Sequence, residues 1–152
     1  MVNMVVKLEL CPLQKDIEIV IKYPQKNKVV EQIILLLNTV DSKIDCYSED
    51  SQKLVSISDI YHIESLEKKT IVYSEKENFE TKYRLYQLNE KLTDKGFIQI
   101  SKYCILNINK LDKVKPMFNS RMEIVLSNGI RLQATRKYLT CLKQKLQEGL
   151  NE

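Results

Sequence analysis

The chain has 152 residues, 43% of them hydrophobic and 29% charged, which fits one soluble domain with a small appendage and speaks against a two-domain enzyme. Its net charge of +4 is too small to name a partner, but the charge is unevenly spread. Residues 1–60 carry seven basic and nine acidic side chains, whereas residues 101–145 carry ten basic against two acidic, so the positive field is local and an anionic partner such as nucleic acid competes with a merely solvated lysine-rich surface.

In chain order, residues 5–10 (VVKLEL) and 16–23 (DIEIVIKY) alternate apolar with polar and predict two strands, linked through Cys11 and Pro12 and closed by Pro24. Asn27 then offers an N-cap, and Val29, Val30, Ile33, Leu36 and Leu37 recur at helical spacing. Ile34 and Leu35 make that helix apolar almost all round, so it must be covered by its own chain or by a second subunit. The polar run 41–52 (DSKIDCYSEDSQ) reads as a linker, dividing a β-β-α segment at 1–45 from a second unit at 52–148.

The second unit reads as mostly β with few helices. KLVSISDIYHIESLE alternates around Ile57, Ile60 and Ile63, and KTIVYSEK with NFETKY forms a strand pair. YRLYQLNEKL is a helix with Tyr83, Leu85, Leu88 and Leu92 on one side and Gly96 beyond its end. FIQI, CILNIN and LDKVKPMF are strands, and MEIVLSNGIRLQAT sets Asn128-Gly129 between two alternating runs, which predicts a hairpin with a type I′ turn. A basic helix over 137–147 closes the chain, with Leu139, Leu142 and Leu146 as its apolar side.

No catalytic constellation is present in the sequence. His62 is the only histidine, with Glu64 on its face of the strand, and its bland reading is a structural residue. GxSxG, GxxxxGK[ST], GxGxxG and HExxH are missing, and three glycines at 96, 129 and 149 assemble no phosphate cradle. Cys11, Cys46, Cys104 and Cys141 are widely separated without CxxC, so free thiols are expected, and neither a metal site nor a cofactor. Lys102 and Tyr103 could lower the pKa of Cys104, although the apolar run CILN favours its burial. No apolar run approaches the roughly 20 residues that cross a bilayer, and MVNMVVKLEL lacks a signal-peptide layout, so a cytoplasmic location is expected. The basic residues fall at junctions between elements, where rigid structure presents side chains to a partner.

The ordered series DIYHIESLEKKTIVYSEK, FETKYRLYQLNEKL, GFIQISKYCILNINKLDKVKPMFNSRMEIVLSNG and LQATRKYLTCLKQKL, within 58–146, resembles the LytTR-type DNA-binding domain of bacterial transcription regulators. The resemblance implies an α+β, mostly β fold: an elongated stack of small antiparallel sheets with few helices, gripping duplex DNA through loops. It matches one contact loop to Ser101, Lys102 and Tyr103, followed by Asn107 as a signature asparagine, and another contact to Arg136 with Lys137 and Tyr138. A further loop matches Lys68, Lys69 and Thr70, with its register open by one residue. Gln99 and Thr135 depart from the arginine and serine that many members carry; the first removes a candidate phosphate contact. Arg136 suits bidentate pairing with guanine, Lys102 the same less rigidly, and Lys68, Lys137 and Arg121 suit phosphate.

The short lead-in, the FNSR segment 118–121 and the TRKY run resemble the stand-alone subgroup that lacks a receiver domain. A sequence-specific, non-enzymatic regulator follows, with double-stranded DNA as partner, a homodimer as assembly and no small-molecule substrate. By resemblance alone, a small membrane protein is a restraining partner. The alternative is a protein-interaction module that keeps this scaffold and turns its basic face to an acidic partner.

Overall fold

The computed structural model describes residues 3–39 and 42–150, with the backbone alone at 38, 39 and 148–150. Helix α1 (Lys28–Thr39) is followed by β1 (Lys43–Ser48), β2 (Ser51–Ser56), β3 (Ile60–Leu66), β4 (Lys69–Ser74), β5 (Asn78–Thr81), α2 (Leu85–Leu92), β6 (Phe97–Ser101) and β7 (Cys104–Asn107). Then come β8 (Leu111–Met117), β9 (Arg121–Leu126), β10 (Arg131–Ala134) and α3 (Arg136–Leu150). The strands form two antiparallel sheets, one of seven in the order β2-β1-β5-β4-β3-β7-β6 and one of three in the order β10-β9-β8.

Two cores share the strands at one side of the large sheet. Ile60, Ile63, Val72, Phe79, Phe97 and Ile105 pack with Leu85, Leu88 and Leu92 of α2 on one face. Ile98, Ile100, Cys104 and Leu106 face the other way, onto Ile124 and Leu126 of the small sheet and Leu139 and Leu142 of α3. Alternate side chains of β6 and β7 thus enter different cores, and a strand buried on both faces reads as a nearly continuous apolar run, as FIQI and CILN do.

The Asn27 side chain accepts the Val30 N–H at 3.1 Å and caps α1. Val30 is buried, and Leu35 reaches the backbone at Gly96, where an added Cβ would meet Leu35 Cδ2 at 2.9 Å. α1 therefore sits at the start of β6, also near the turn before β3 and the later part of α3. Its cover is incomplete: Ile34, Leu36 and Leu37 are exposed.

Three expectations are corrected. Residues 5–10 and 16–23 form no strands, and Val5, Leu8, Leu10, Ile17 and Val20 are exposed. Their alternation is genuine, but no described strand pairs with them, and two strands alone are marginal in water. The polar run 41–52 is not a linker, since it supplies β1 and much of β2, a hairpin in the large sheet with Ile44 and Cys46 turned inward. Position 41, where that run begins, lies outside the described residues. At Asn128-Gly129, only Gly129 takes a positive φ (+87°), and the Gly129 N–H donates to the Leu126 carbonyl at 2.9 Å. With Val125 opposite Arg131, this is a three-residue loop closed by a left-handed glycine instead of a two-residue I′ turn.

Candidate nucleic-acid interface

Strand ladders bring the separated basic junctions to one end of the molecule. Leu66 pairs with Lys69, which leaves Glu67 and Lys68 as a two-residue turn with φ of 50° and 68°. Neither is glycine, so this primed turn holds two side chains in a disfavoured region and points Lys68 off the end of the sheet. Ser101 pairs with Cys104 and leaves Lys102 and Tyr103 as the next turn, where the Ser101 hydroxyl accepts the Tyr103 N–H at 3.3 Å. The Ser65 N–H donates to the Tyr103 carbonyl at 2.9 Å, which ties the two turns side by side.

The start of α3 joins them. Thr135 donates its N–H to the Ile100 carbonyl at 2.9 Å, so Arg136 and Lys137 emerge next to the last residues of β6. Ala134 pairs with Met122, so Arg121 and Thr135 both adjoin the same end of that ladder. Lys68, Lys102, Arg121, Arg136 and Lys137 are all exposed, whereas Tyr138 is half-buried. The Lys102 Nζ lies 5.4 Å from the Tyr103 ring and the Lys137 Nζ 5.7 Å from the Tyr138 ring, within range for cation–π contact.

Not every expected residue reaches this surface. Thr70, with 5% of its surface exposed, is buried between β3 and β5. Lys69, by contrast, is exposed beside the Lys68 turn and lies 3.6 Å from Glu80. Asn107, with 2% exposed, donates to the Ile60 carbonyl at 2.9 Å and accepts the Asn109 N–H at 3.0 Å; it joins β7 to β3.

The sequence profile of the LytTr DNA-binding domain matches residues 50–147. The chain belongs to the LytTr DNA-binding domain family. Its fold is similar to the LytTr DNA-binding domain of a methyl-accepting/DNA response regulator from Bacillus cereus, with a TM-score of 0.66 at 24% identity over 70% of this chain and 97% of that one. Among curated relatives, the sensory transduction protein LytT of Bacillus anthracis is 31% identical over 64% of this chain and 40% of the relative, and LytT of Enterococcus faecalis is 28% identical over 68% and 43%. The chain thus spans about two fifths of the LytT proteins it matches. An uncharacterized HTH-type transcriptional regulator of Staphylococcus aureus is 28% identical over 92% of this chain and 97% of its own length.

Within this LytTr domain one surface residue escaped sequence reasoning. Arg84, exposed just before α2, donates from Nη1 to the Lys68 carbonyl at 3.3 Å and steadies the first turn. Its one sequence signal was an arginine at a helix start, where the helix dipole disfavours a cation. Behind the turns, His62, Tyr73, Glu64 and Cys104 come together: His62 stacks on Tyr73 at 4.2 Å, its Nε2 is 3.4 Å from Glu64, and the Tyr73 hydroxyl donates to Glu64 at 3.3 Å. Burial drives His62 below its ordinary value despite Glu64, and drives the Cys104 thiol far above its own. A thiolate–imidazolium pair needs shifts opposite to those of this LytTr cluster.

Proposed function

We propose that this chain is a sequence-specific, non-enzymatic transcription regulator of the LytTr type, working in the cytoplasm and reading duplex DNA with the end formed by three junctions. The observation that carries the reading is the convergence of Lys68, Lys102, Arg121, Arg136 and Lys137, scattered over 70 sequence positions, on one end of a LytTr fold. Arg136 is cast as the base-reading residue and Lys102 as a second donor; Lys68, Arg121 and Lys137 position the domain on phosphate. Ser101 and Tyr103 shape the second loop, Tyr138 seats the third, and Thr70 serves the fold beneath the first.

We assign DNA binding to 52–148 and contact with a second copy to 1–45, whose apolar side chains at 5–20 are uncovered. The subgroup resemblance adds a small membrane protein as a restraining partner for that same segment. A gel shift with the protein's own promoter fragment at moderate salt, against scrambled competitor, tests the DNA reading. A sequence-selective shift is expected; retardation alike on all sequences would transfer the basic face to an acidic protein partner.

A further inference from the structure

In the FNSR segment, Arg121 faces phosphate in the proposed function, whereas the first residue has no part in it. Phe118 is 93% exposed, the most exposed aromatic ring among the described residues. It directly follows Met117, which pairs with Arg121, so it stands at the tip of the β8–β9 hairpin. Asn119 (φ 65°) and Ser120 (φ 54°) close the tip in the left-handed region. Asparagine tolerates that region and serine does so less readily, so backbone strain is retained in a turn that holds an aromatic ring in solvent.

The setting of the tip selects its partner. Residues 113–121 contain Lys113, Lys115 and Arg121 and no acidic side chain; of the flanking acids, Asp112 lies at the other end of β8 and Glu123 is 3.5 Å from Arg131. An apolar ring bordered by cations complements a surface on which apolar base faces lie between phosphates. The ladders also set the place: β8 is two strands from β10, so the tip stands about 10 Å to the side of Thr135 and the Arg136 that follows it.

We propose that Phe118 is a wedge that enters the groove beside the one read by Arg136, presses between two adjacent bases and bends the duplex. The inference rests on the DNA-binding reading. A wedge forms no hydrogen bond, so it discriminates through the ease of opening a base step and favours flexible pyrimidine–purine steps. It would therefore impose sequence preference at a position that no polar side chain touches.

The test uses the full chain and a short duplex selected by the wild-type protein from a random pool, with fluorophores on both ends and 2-aminopurine walked through the protected region. Wild type should shorten the end-to-end distance and raise 2-aminopurine emission at one step. Phe118→Ala should keep the base preference at the position read by Arg136 but lose it at the opened step, with affinity lower by about tenfold or less, and leave the duplex straight and the probe quenched. Phe118→Trp should restore the bend. Equal bending by wild type and Phe118→Ala would overturn the wedge and leave the DNA reading intact, as would a change of oligomeric state in the DNA-free Phe118→Ala protein, which would assign the ring to a second copy. Failure of wild type to select any duplex would remove the DNA reading itself.

Discussion

Arg136 and Lys137 occupy the first turn of α3, where the helix dipole opposes a cation by about 0.3–1 kcal/mol. Residues placed against their own helix in this way serve a partner better than they serve the fold. Arg136→Ala is expected to relax base preference at one position of a mapped site at a cost of about 1–3 kcal/mol without lowering the unfolding midpoint. Binding titrations on single-base variants and a thermal melt check both halves. Lys137→Ala should weaken every sequence alike and reduce the slope of log affinity against log salt by about one, as expected for one lost phosphate contact. Asn107 belongs to the opposite class: Asn107→Ala leaves the buried Ile60 carbonyl without its donor and should cost about 1–3 kcal/mol in denaturant unfolding while leaving base preference untouched. His62 supplies a pH signature. Its folded pKa lies below 6.5 because burial outweighs Glu64, so the unfolded chain takes up the proton more readily. The contribution is complete above pH 6.5 and is lost as pH falls from 6.5 toward the folded value. Stability of wild type should therefore fall more steeply below pH 6.5 than that of His62→Phe, which keeps a ring against Tyr73 and cannot titrate.

At the scale of elements, two glycines separate backbone cost from packing cost. Gly96 and Gly129 share a φ of +87°, but an added Cβ meets Leu35 of α1 at position 96 and nothing within 4 Å at position 129. Gly129→Ala should lose only the left-handed penalty of about 1–2 kcal/mol, and Gly96→Ala that amount plus the displacement of α1. The excess, read from paired unfolding curves, measures how firmly α1 is docked. Legibility in the sequence followed the same division between local and distant causes. The Asn27 cap, α2, the left-handed Gly96 after the 3-10 turn that follows it, the β4–β5 pair and the 121–134 hairpin were legible because spacing and turn residues determine them nearby. At Asn128-Gly129 the location was legible and the turn type was not, since a left-handed glycine serves either loop and the pairing of Val125 with Arg131 decides between them. The hairpin at 43–56 was hidden under a linker-like composition, because only Ile44, Cys46 and Val55 show its inward face. In the lead-in, alternation announced an amphipathic segment but could not reveal that no described strand pairs with it. The candidate surface was legible residue by residue through the family resemblance, whereas the withdrawal of Thr70, the pairing of Lys69 with Glu80 and the reach of Arg84 to the Lys68 carbonyl depend on strand register and a tertiary contact.

Across the whole molecule, β6 runs between two unlike ends: α1 packs near its first residue, and the basic turns surround its last. The segment before α1 packs into neither core, so deletion of residues 3–26 should leave the unfolding midpoint unchanged while the sedimentation of the protein shifts toward the monomer. Because α1, to which the proposed self-association segment is joined, packs at the far end from the basic turns, two joined copies would present both reading ends at once, and the second would bind as an intramolecular event. Such tethering raises apparent affinity by about a hundred- to ten-thousandfold over a single copy. A partner that merely parted the lead-ins could then empty a paired site by removing avidity, with every side chain that touches DNA still free to bind.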